Sequence, residues 1–469
     1  MTEIKNKSIT KSILTIAVPI VFVNILQVAY SLVDTYWVGK LGANAIASIS
    51  ISFPILFLIM AIANGLTVAG SVFVSQYKGK NDKENISKFS GQTMITVTVL
   101  SLILSVVGFF TSVPLLKLIG AGPEIINDAA GYLQVSCLGL SSTFIFFVFQ
   151  SIMRGVGEVK KATYIMFLGV VLNFFIDPIF IFGNFGIHAM GVTGSAVATI
   201  ICQIAGSLIA LYFLFFNKKN EIHISVKNLI PDFKFIKQIF KIGLPSSMEQ
   251  IIRSSGMILM MFLVTGFGTI LTAAYGLGTR MFSFVIIPAL GFMIAVSILV
   301  GQNIGSGDKK RAEEIAKKGA IMAFLALTLI SVIFFVFAKF IIQMFIQDDS
   351  AVIDVSVKFM RFLSVTFGMM GISMTLMGAF MGSGNTVTSM ILTTFQLFIN
   401  FVLALILSKF TSLGYNGIFW SYPIATFIMF IIAIIIFLKG DWKNKKITEE
   451  MKIKDTVEEE TLIREFAEE

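Results

Sequence analysis

Charged residues are scarce in this sequence, making up 13% of its 469 residues, whereas soluble proteins carry roughly 25%. Hydrophobic residues account for 56%, which is more apolar surface than a soluble chain of this length needs to bury. The composition therefore excludes an ordinary soluble domain and indicates a protein whose solvent is the lipid bilayer.

Cysteine and histidine are nearly absent, with two residues of each type. Cys137 and Cys202 lie inside apolar stretches, which predicts packing within helices and excludes a disulfide framework. His188 and His223 fall in loops that we expect on opposite sides of the membrane, so together they form no metal site. No HExxH or GxSxG motif lies in an apolar run, and we therefore expect a protein that is not an enzyme.

Apolar runs of about 20 residues, long enough to cross a bilayer, number twelve. In the first half they cover 13–37, 48–75, 92–114, 130–152, 161–183 and 192–216, and in the second half 239–264, 275–301, 319–345, 357–381, 387–408 and 416–438. Because the runs are continuous rather than alternating, they exclude a β-barrel. The sequence predicts an all-α polytopic membrane protein with twelve transmembrane helices.

The second half of the sequence repeats the first. Residues that recur 226 positions later are Pro19 as Pro245, Gly42 as Gly268, Ala47 as Ala273, Gly65 as Gly291, Gln76 as Gln302, Gly79 as Gly305 and Asp82 as Asp308. With a shift of 227 positions, Gly155, Gly157 and Asn173 recur as Gly382, Gly384 and Asn400. Six helices per half is an even number, so both halves insert in the same orientation. We expect two six-helix bundles related by a pseudo-two-fold axis along the membrane normal, an architecture typical of transporters.

The predicted domains follow from this duplication. We expect an N-terminal six-helix lobe at 1–216, a cytoplasmic linker at 217–238, a C-terminal six-helix lobe at 239–440 and a cytoplasmic tail at 441–469.

Lysines concentrate in alternate loops, and these account for the net charge of +9. The lysine-rich segments are the N-terminus (Lys5, Lys7, Lys11), Lys78–Lys88, Lys160–Lys161, the linker with Lys218 and Lys219, and 309–318. The opposite loops hold mainly Glu124, Asp128, Asp348, Asp349 and Asp354. By the positive-inside rule both termini are cytoplasmic in a multi-pass protein of the plasma (cell inner) membrane. The same distribution argues against nucleic-acid binding.

A charge at the bilayer centre costs several kcal/mol, so charges inside the apolar runs are functional candidates. They are Asp34, Asp177, Glu249, Arg253 and Arg280.

The first half contains two pairs that each combine an acidic residue with a polar one. Tyr30 and Asp34 are four residues apart on the first helix, and Asn173 and Asp177 have the same spacing on the fifth, so each pair shares a helix face. Two carboxylates in apolar surroundings can hold a proton near neutral pH or exchange it for Na⁺. The alternative is that both acids only hydrogen-bond neighbouring helices or contact water near the outer helix ends.

The repeat favours an ion-binding role for these acids. The positions equivalent to Asp34 and Asp177 hold Met260 and Ala404, whereas Asn173 keeps its partner Asn400. A residue needed only for packing is expected in both halves.

In the second half, Glu249 and Arg253 are four residues apart on the seventh helix. They form either an internal ion pair or part of a substrate cavity in which Glu249 binds cationic cargo. Gln250, Gln396 and Asn400 are candidates for lining the same cavity.

Pro19 lies within the first helix and Pro178 directly follows Asp177. Proline removes a backbone hydrogen bond and kinks a helix. We therefore expect Pro19 to let the first helix bend when the charge of Asp34 changes.

Several motifs together resemble the MATE (multidrug and toxic compound extrusion) family over residues 10–440. They are Pro19 with Tyr30-x3-Asp34-Thr-x2-Val-Gly39, Gln76-x2-Gly79 with its repeat Gln302-x2-Gly305, Arg154-Gly155-x-Gly157, Asn173-x3-Asp177-Pro178, and Gly191-x2-Gly194-x-Ala-x-Ala-Thr199. The acidic pattern is similar to the DinF-like branch.

The resemblance implies a cation site formed by Tyr30, Asp34, Asn173, Asp177 and Thr199, with Gln150 where relatives often have asparagine. Arg253 lies near the place of the C-lobe acid of the NorM-like branch, so a second acidic cation site is not expected.

The resemblance also implies a function and its partners. We expect a monomer that exports amphipathic, cationic organic compounds by alternating access, in exchange for H⁺ or Na⁺. We expect no cofactor, and no metal other than Na⁺ at Asp34, Asp177 and Asn173. The alternatives are a flippase for lipid-linked oligosaccharides and a dedicated metabolite exporter with the same two-bundle plan.

Overall fold

The computed structural model describes residues 8–217, 222–346, 349–445 and 447–448, and every regular element in them is an α-helix or a short 3-10 helix. Some predictions lie outside the described residues: those resting on Lys5, Lys7, Lys218, Lys219 and Asp348, and the tail from 449 onward.

Six apolar segments form the first half. They are α1 (Ile9–Gly39), α2 (Ala43–Lys80), α3 (Lys83–Ile119), the pair α4 (Ile126–Leu138) and α5 (Leu140–Val156), α6 (Val159–Phe182) and α7 (Gly191–Phe215). The pair α4 and α5 is bent by 49°. At the bend, a Cβ atom on Gly139 would come within 2.4 Å of the side chain of Ile200. Glycine is therefore required where α7 packs against the bend.

The second half repeats this arrangement. Its helices are α8 (Phe233–Thr265), α9 (Thr269–Gly305), α10 (Lys309–Val336), the short α11 (Ala338–Gln343), the pair α12 (Ser350–Ser364) and α13 (Phe367–Gly382), α14 (Thr386–Lys409) and α15 (Asn416–Lys439). The pair α12 and α13 is bent by 48°. The fourth segment is thus broken in both halves.

By length and apolarity, nine helices in the described residues can each cross a bilayer, and the two bent pairs raise this number to eleven. Helix α8 is not among them, although it is 33 residues long, and it carries Glu249 and Arg253. With α8 included, the described segments coincide with the twelve predicted runs. Several ends extend further than predicted, as at α3, because polar residues continue a helix into the headgroup region. The predicted run 319–345 is instead divided between α10, which ends at Val336, and the short α11.

The described residues fall into two compact units. The N unit contains Pro19–Val74 and Asp82–Gln250, and the C unit contains the other described residues. Helix α1 therefore changes unit at Pro19, and α8 changes unit after Gln250. The predicted division at the linker 217–238 stays a prediction.

Within the C unit, the ends of α2 and α9 meet through backbone contacts. A Cβ atom on Gly79 would lie 1.9 Å from the carbonyl oxygen of Gln302, and a Cβ atom on Gly305 would lie 1.9 Å from that of Gln76. No side chain fits at either position. The reciprocal contact gives a physical reason for the presence of both glycines in the repeat.

The helices that follow begin with the same cap. The Asp82 Oδ1 atom accepts a hydrogen bond from the Asn85 amide at 3.0 Å, and the Asp308 Oδ1 atom accepts one from the Arg311 amide at 2.9 Å. These side chains satisfy amides that a helix N-terminus leaves without partners.

Side chains of α3 hold the segment before α8. The Gln92 Nε2 atom donates to the carbonyl oxygens of Asn228 at 2.9 Å and Ile230 at 2.6 Å, and the Gln92 Oε1 atom accepts from the Asp232 amide at 2.9 Å. An ion pair of 3.1 Å joins Lys88 to Asp232. The predicted linker is therefore attached to the N unit.

Candidate functional site

Three helices of the N unit bring the predicted polar residues together. Tyr30 and Asp34 lie on α1, Asn173 and Asp177 on α6, and Thr199 on α7. The spacing of four residues places each α1 and α6 pair on one helix face, and these faces meet beside α7.

Hydrogen bonds connect α1 to α7, and a further one lies within α6. The Thr199 Oγ1 atom donates to the Asp34 carboxylate, at 3.4 Å from Oδ1 and 3.5 Å from Oδ2. The Asn173 Nδ2 atom donates to Asp177 Oδ1 at 2.8 Å, and the Tyr30 hydroxyl donates to the backbone carbonyl of Thr199 at 3.4 Å. The bonds therefore join α1 to α7, while α6 meets α1 where Asp177 neighbours Asp34.

The carboxyl groups of Asp34 and Asp177 are close neighbours. Asn173 and Asp177 are fully buried. Within the described part of the chain, no hydrogen-bond donor reaches the Asn173 Oδ1 atom or the Asp177 Oδ2 atom. Two ionised carboxylates only accept hydrogen bonds and cannot bond to each other. A proton or a Na⁺ ion shared by the pair would satisfy these oxygens, which are the ligand type that hard cations prefer.

Asp34 also lines a cavity of about 320 Å³ in the N unit. Aromatic rings and thioethers make up much of its wall: Phe53, Phe57, Met60, Tyr132, Phe146 and Phe147. Asp34 is the one charged residue in this wall among the described residues, and Asn173 and Asp177 do not line it. Such a wall suits an amphipathic ligand.

Three other predicted residues lie elsewhere. The Gln150 Oε1 atom accepts a hydrogen bond from Arg154 at 2.8 Å, and Gln150 does not line the cavity. Glu249 is buried and Gln250 is exposed, and neither lines a cavity described here. The structure does not bring these residues to the acidic cluster or to a cavity, and their proposed roles stay predictions.

The C unit has its own cavity, of about 300 Å³, and its wall includes Arg253, Gln396 and Asn400. Their role in binding a substrate stays a prediction. The Asn400 Oδ1 atom accepts a hydrogen bond from the Ser421 hydroxyl at 2.9 Å.

Sequence reasoning missed two tyrosines and left one arginine unassigned in this wall. The hydroxyls of Tyr275 and Tyr422 lie 2.8 Å apart in a hydrogen bond, and Arg280 also lines the cavity. A tyrosine inside an apolar run needs a partner for its hydroxyl, and this signal could have identified both rings.

Helix α1 continues through Pro19. Bending at Pro19 in response to the charge of Asp34 stays a prediction.

Comparisons with known proteins agree with this architecture. The sequence profile of the family described as MatE matches residues 19–179 and 245–406, the two repeats. The chain is 26% identical to "Probable multidrug resistance protein YoeA" of Bacillus subtilis over 454 residues, covering 96% of this chain and 97% of that protein.

Two solved structures are similar over 94% of this chain and 98% of theirs. One is a Pyrococcus furiosus transporter described under the words "Reverse polarity of binding pocket suggests different function", with a TM-score of 0.86 and 26% identity. The other is an outward-facing multidrug resistance MATE family transporter, with a TM-score of 0.84 and 28% identity.

The profile covers both repeats, and the fold agrees over nearly the whole chain. The prediction of a twelve-helix, two-bundle membrane protein is confirmed, while the DinF-like branch stays a prediction. The chain belongs to the MatE family and is a multi-pass membrane transporter, not an enzyme.

Proposed function

We propose that this transporter exports amphipathic small molecules in exchange for H⁺ or Na⁺, and that the coupling cation binds at Asp34 and Asp177. The observation that carries the proposal is the pair of neighbouring carboxyl groups, one buried with an orphaned oxygen and the other in a cavity wall. The words "multidrug resistance" in the descriptions of the Bacillus protein and of the outward-facing structure support drug-like cargo.

Electrostatics supplies a reason for coupling. With the cation bound, the two carboxyls can stay close, and the cavity wall at Asp34 is less negative. Without the cation, the carboxylates repel each other, because like charges a few ångströms apart interact strongly away from bulk water. The cation and the cargo thus favour different states of one site, and only such differential binding can drive exchange.

The N-unit cavity favours positively charged cargo. Asp34 offers a carboxylate, and the rings of Phe53, Phe57, Phe146 and Phe147 offer faces that attract cations. An organic cation and the coupling cation therefore compete for Asp34.

The setting of the protein follows from the positions of its lysines. We propose a plasma-membrane monomer with both termini in the cytoplasm, since the basic loops lie on one side of the predicted spans. It needs no cofactor apart from the coupling ion.

Efflux from proteoliposomes tests this function. Ethidium is loaded into vesicles containing purified protein, and a pH gradient and a Na⁺ gradient are imposed in separate experiments. We expect one of the two gradients to accelerate efflux several-fold over protein-free vesicles. If neither gradient changes the rate in well-reconstituted vesicles, antiport by this protein is ruled out.

A further inference from the structure

The cavities of the two units are repeat-related copies with different charge. Lining residues at equivalent positions include Gln27 and Arg253, Asp34 and Met260, and Thr199 and Thr426. The C-unit cavity therefore lies at the same place in its repeat as the N-unit cavity, but the residues that line it differ in chemistry.

The difference in charge comes from a few substitutions. Met260 stands where the N unit has its carboxylate Asp34, Arg253 replaces Gln27, and Arg280 occupies the position equivalent to Pro54. Both arginines line the C-unit cavity, and no carboxylate lines it within the described residues. One wall is thus acidic and the other basic.

The rest of the C-unit wall adds neutral hydrogen-bonding groups and an apolar surface. The Tyr275 and Tyr422 hydroxyls are hydrogen-bonded to each other, and Gln396 of α14 also lines the cavity. Met370 and Met374 contribute flexible thioethers, which adapt to ligands of varied shape.

We propose that the C-unit cavity binds the oxyanion group, a carboxylate, sulfonate or phosphate, of an amphipathic ligand at Arg253 and Arg280. A guanidinium matches the geometry of an oxyanion with two parallel N–H donors. Arg280 is exposed in the cavity and is the principal anchor, since Arg253 also has contacts within the protein. This site is separate from the cation site of the N unit, and its ligand class extends beyond organic cations.

Calorimetric titration of the purified full-length protein tests the site. The probes are naphthalene-2-sulfonate, the matched neutral alcohol 2-naphthylmethanol, and dihexanoyl phosphatidic acid as a water-soluble lipid. The variants are Arg280→Gln, Arg280→Lys and the double variant Arg253→Gln/Arg280→Gln. Arg361→Gln is the matched control, because Arg361 is an exposed arginine of the same unit outside the cavity wall.

The expected result is sulfonate binding by the wild type that weakens at least tenfold in the double variant. Binding should be preserved in Arg361→Gln. Arg280→Lys should weaken it only in part, because lysine keeps the positive charge but lacks the two parallel donors of the guanidinium. Binding of the neutral alcohol should not change. If phosphatidic acid also binds, and its binding depends on the arginines in the same way, lipid headgroups are a source of ligand. If only the sulfonate binds, the site is restricted to free organic anions.

Two results overturn the proposal: a wild type that binds neither anion, or anion affinities that are equal in the wild type and in the folded Arg280→Gln variant. Size-exclusion profiles establish folding, and the single Arg280→Gln and Arg280→Lys variants decide the matter if the double variant does not fold.

Discussion

Asp34 is the residue at which the acidic cluster and the N-unit cavity meet. Its carboxylate accepts hydrogen bonds from Thr199, neighbours the buried Asp177, and forms part of the cavity wall. No other charged residue in the described chain combines these contacts. We therefore expect a change of charge at this one group to alter both the packing of α1 and the surface presented to cargo.

We expect Asp34→Asn to reduce gradient-driven ethidium efflux to the level of protein-free vesicles while the protein still folds. The amide keeps the size of the side chain but carries no negative charge to exchange one cation for another. The matched control is Asp128→Asn, since Asp128 is an exposed acid at the start of α4. Efflux that persists in Asp34→Asn, or that is lost equally in the control, would remove Asp34 from the mechanism.

A subtler effect is expected for Thr199→Val. The substitution removes the hydroxyl that donates to Asp34 but keeps the shape of the side chain. Loss of one such hydrogen bond costs about 1 kcal/mol, which is roughly a fivefold change in affinity. The measurement is the cation concentration that gives half-maximal efflux, and an unchanged value would show that Thr199 contributes nothing to the site.

Much of the acidic cluster could be predicted from the sequence, because the i, i+4 spacing of residues and the cost of a buried charge can be read from one helix at a time. Tyr30, Asp34, Asn173 and Asp177 follow from these rules. The contact between Asp34 and Thr199, which are 165 residues apart, depends on how α1 and α7 pack. No local pattern contains that information, and only the family resemblance indicated it.

At the scale of helices, the ends of α2 and α9 are held in register by contacts that exclude side chains. Gly79 and Gly305 each leave room for a backbone carbonyl of the other helix end. The Asp caps that follow start α3 and α10 in the same way. This paired contact is the physical reason for the glycine of the motif Gln-x2-Gly in both repeats.

We expect Gly79→Ala to destabilise the protein by about 1–3 kcal/mol, the usual cost of forcing atoms into a packed contact. Gly276→Ala is the control, because nothing lies within 4 Å of a Cβ atom at that position inside α9. Alanine favours a helix interior, so this control should be neutral or slightly stabilising.

Thermal unfolding of the purified variants, followed by circular dichroism, measures both changes. Equal unfolding temperatures for Gly79→Ala and the wild type would contradict the close backbone contact.

The sequence predicted where the helices are better than how they bend. Apolar runs identified the fourth segment of each half at 130–152 and 357–381, yet each is two helices bent by 49° or 48°. Hydropathy measures how favourably side chains transfer into lipid, and its value is the same whether a helix is straight or bent. At the bend, Gly139 packs against Ile200 of α7, and this tertiary contact is not visible in a hydropathy profile.

At the scale of the whole molecule, duplication has produced two units with cavities at equivalent positions and walls of unlike charge. The repeat itself was visible in the sequence through glycines, prolines and asparagines at fixed spacing. The cavities were not, because their walls combine residues from five or more helices of a unit. The sequence also did not indicate that α1 and α8 each belong partly to the N unit and partly to the C unit, because each helix is one continuous apolar run.

The proposed orientation can be checked by cysteine labelling in a background with Cys137→Ser and Cys202→Ser. We expect a membrane-impermeant maleimide to label Asp128→Cys in intact cells and Lys310→Cys only in inverted vesicles, as the positive-inside rule requires. Both positions are exposed. The opposite pattern of labelling would place the termini outside the cytoplasm.

The central claim is that cargo and coupling cation compete at Asp34, and cation release on cargo binding tests it most directly. Purified protein is titrated with ethidium in weakly buffered solution, while released protons are followed by a pH dye and released Na⁺ by a ²²Na⁺ tracer. We expect the wild type to release one of these ions as ethidium binds and Asp34→Asn to release neither. Ethidium binding by the wild type without release of either ion, or equal release by Asp34→Asn, would contradict it.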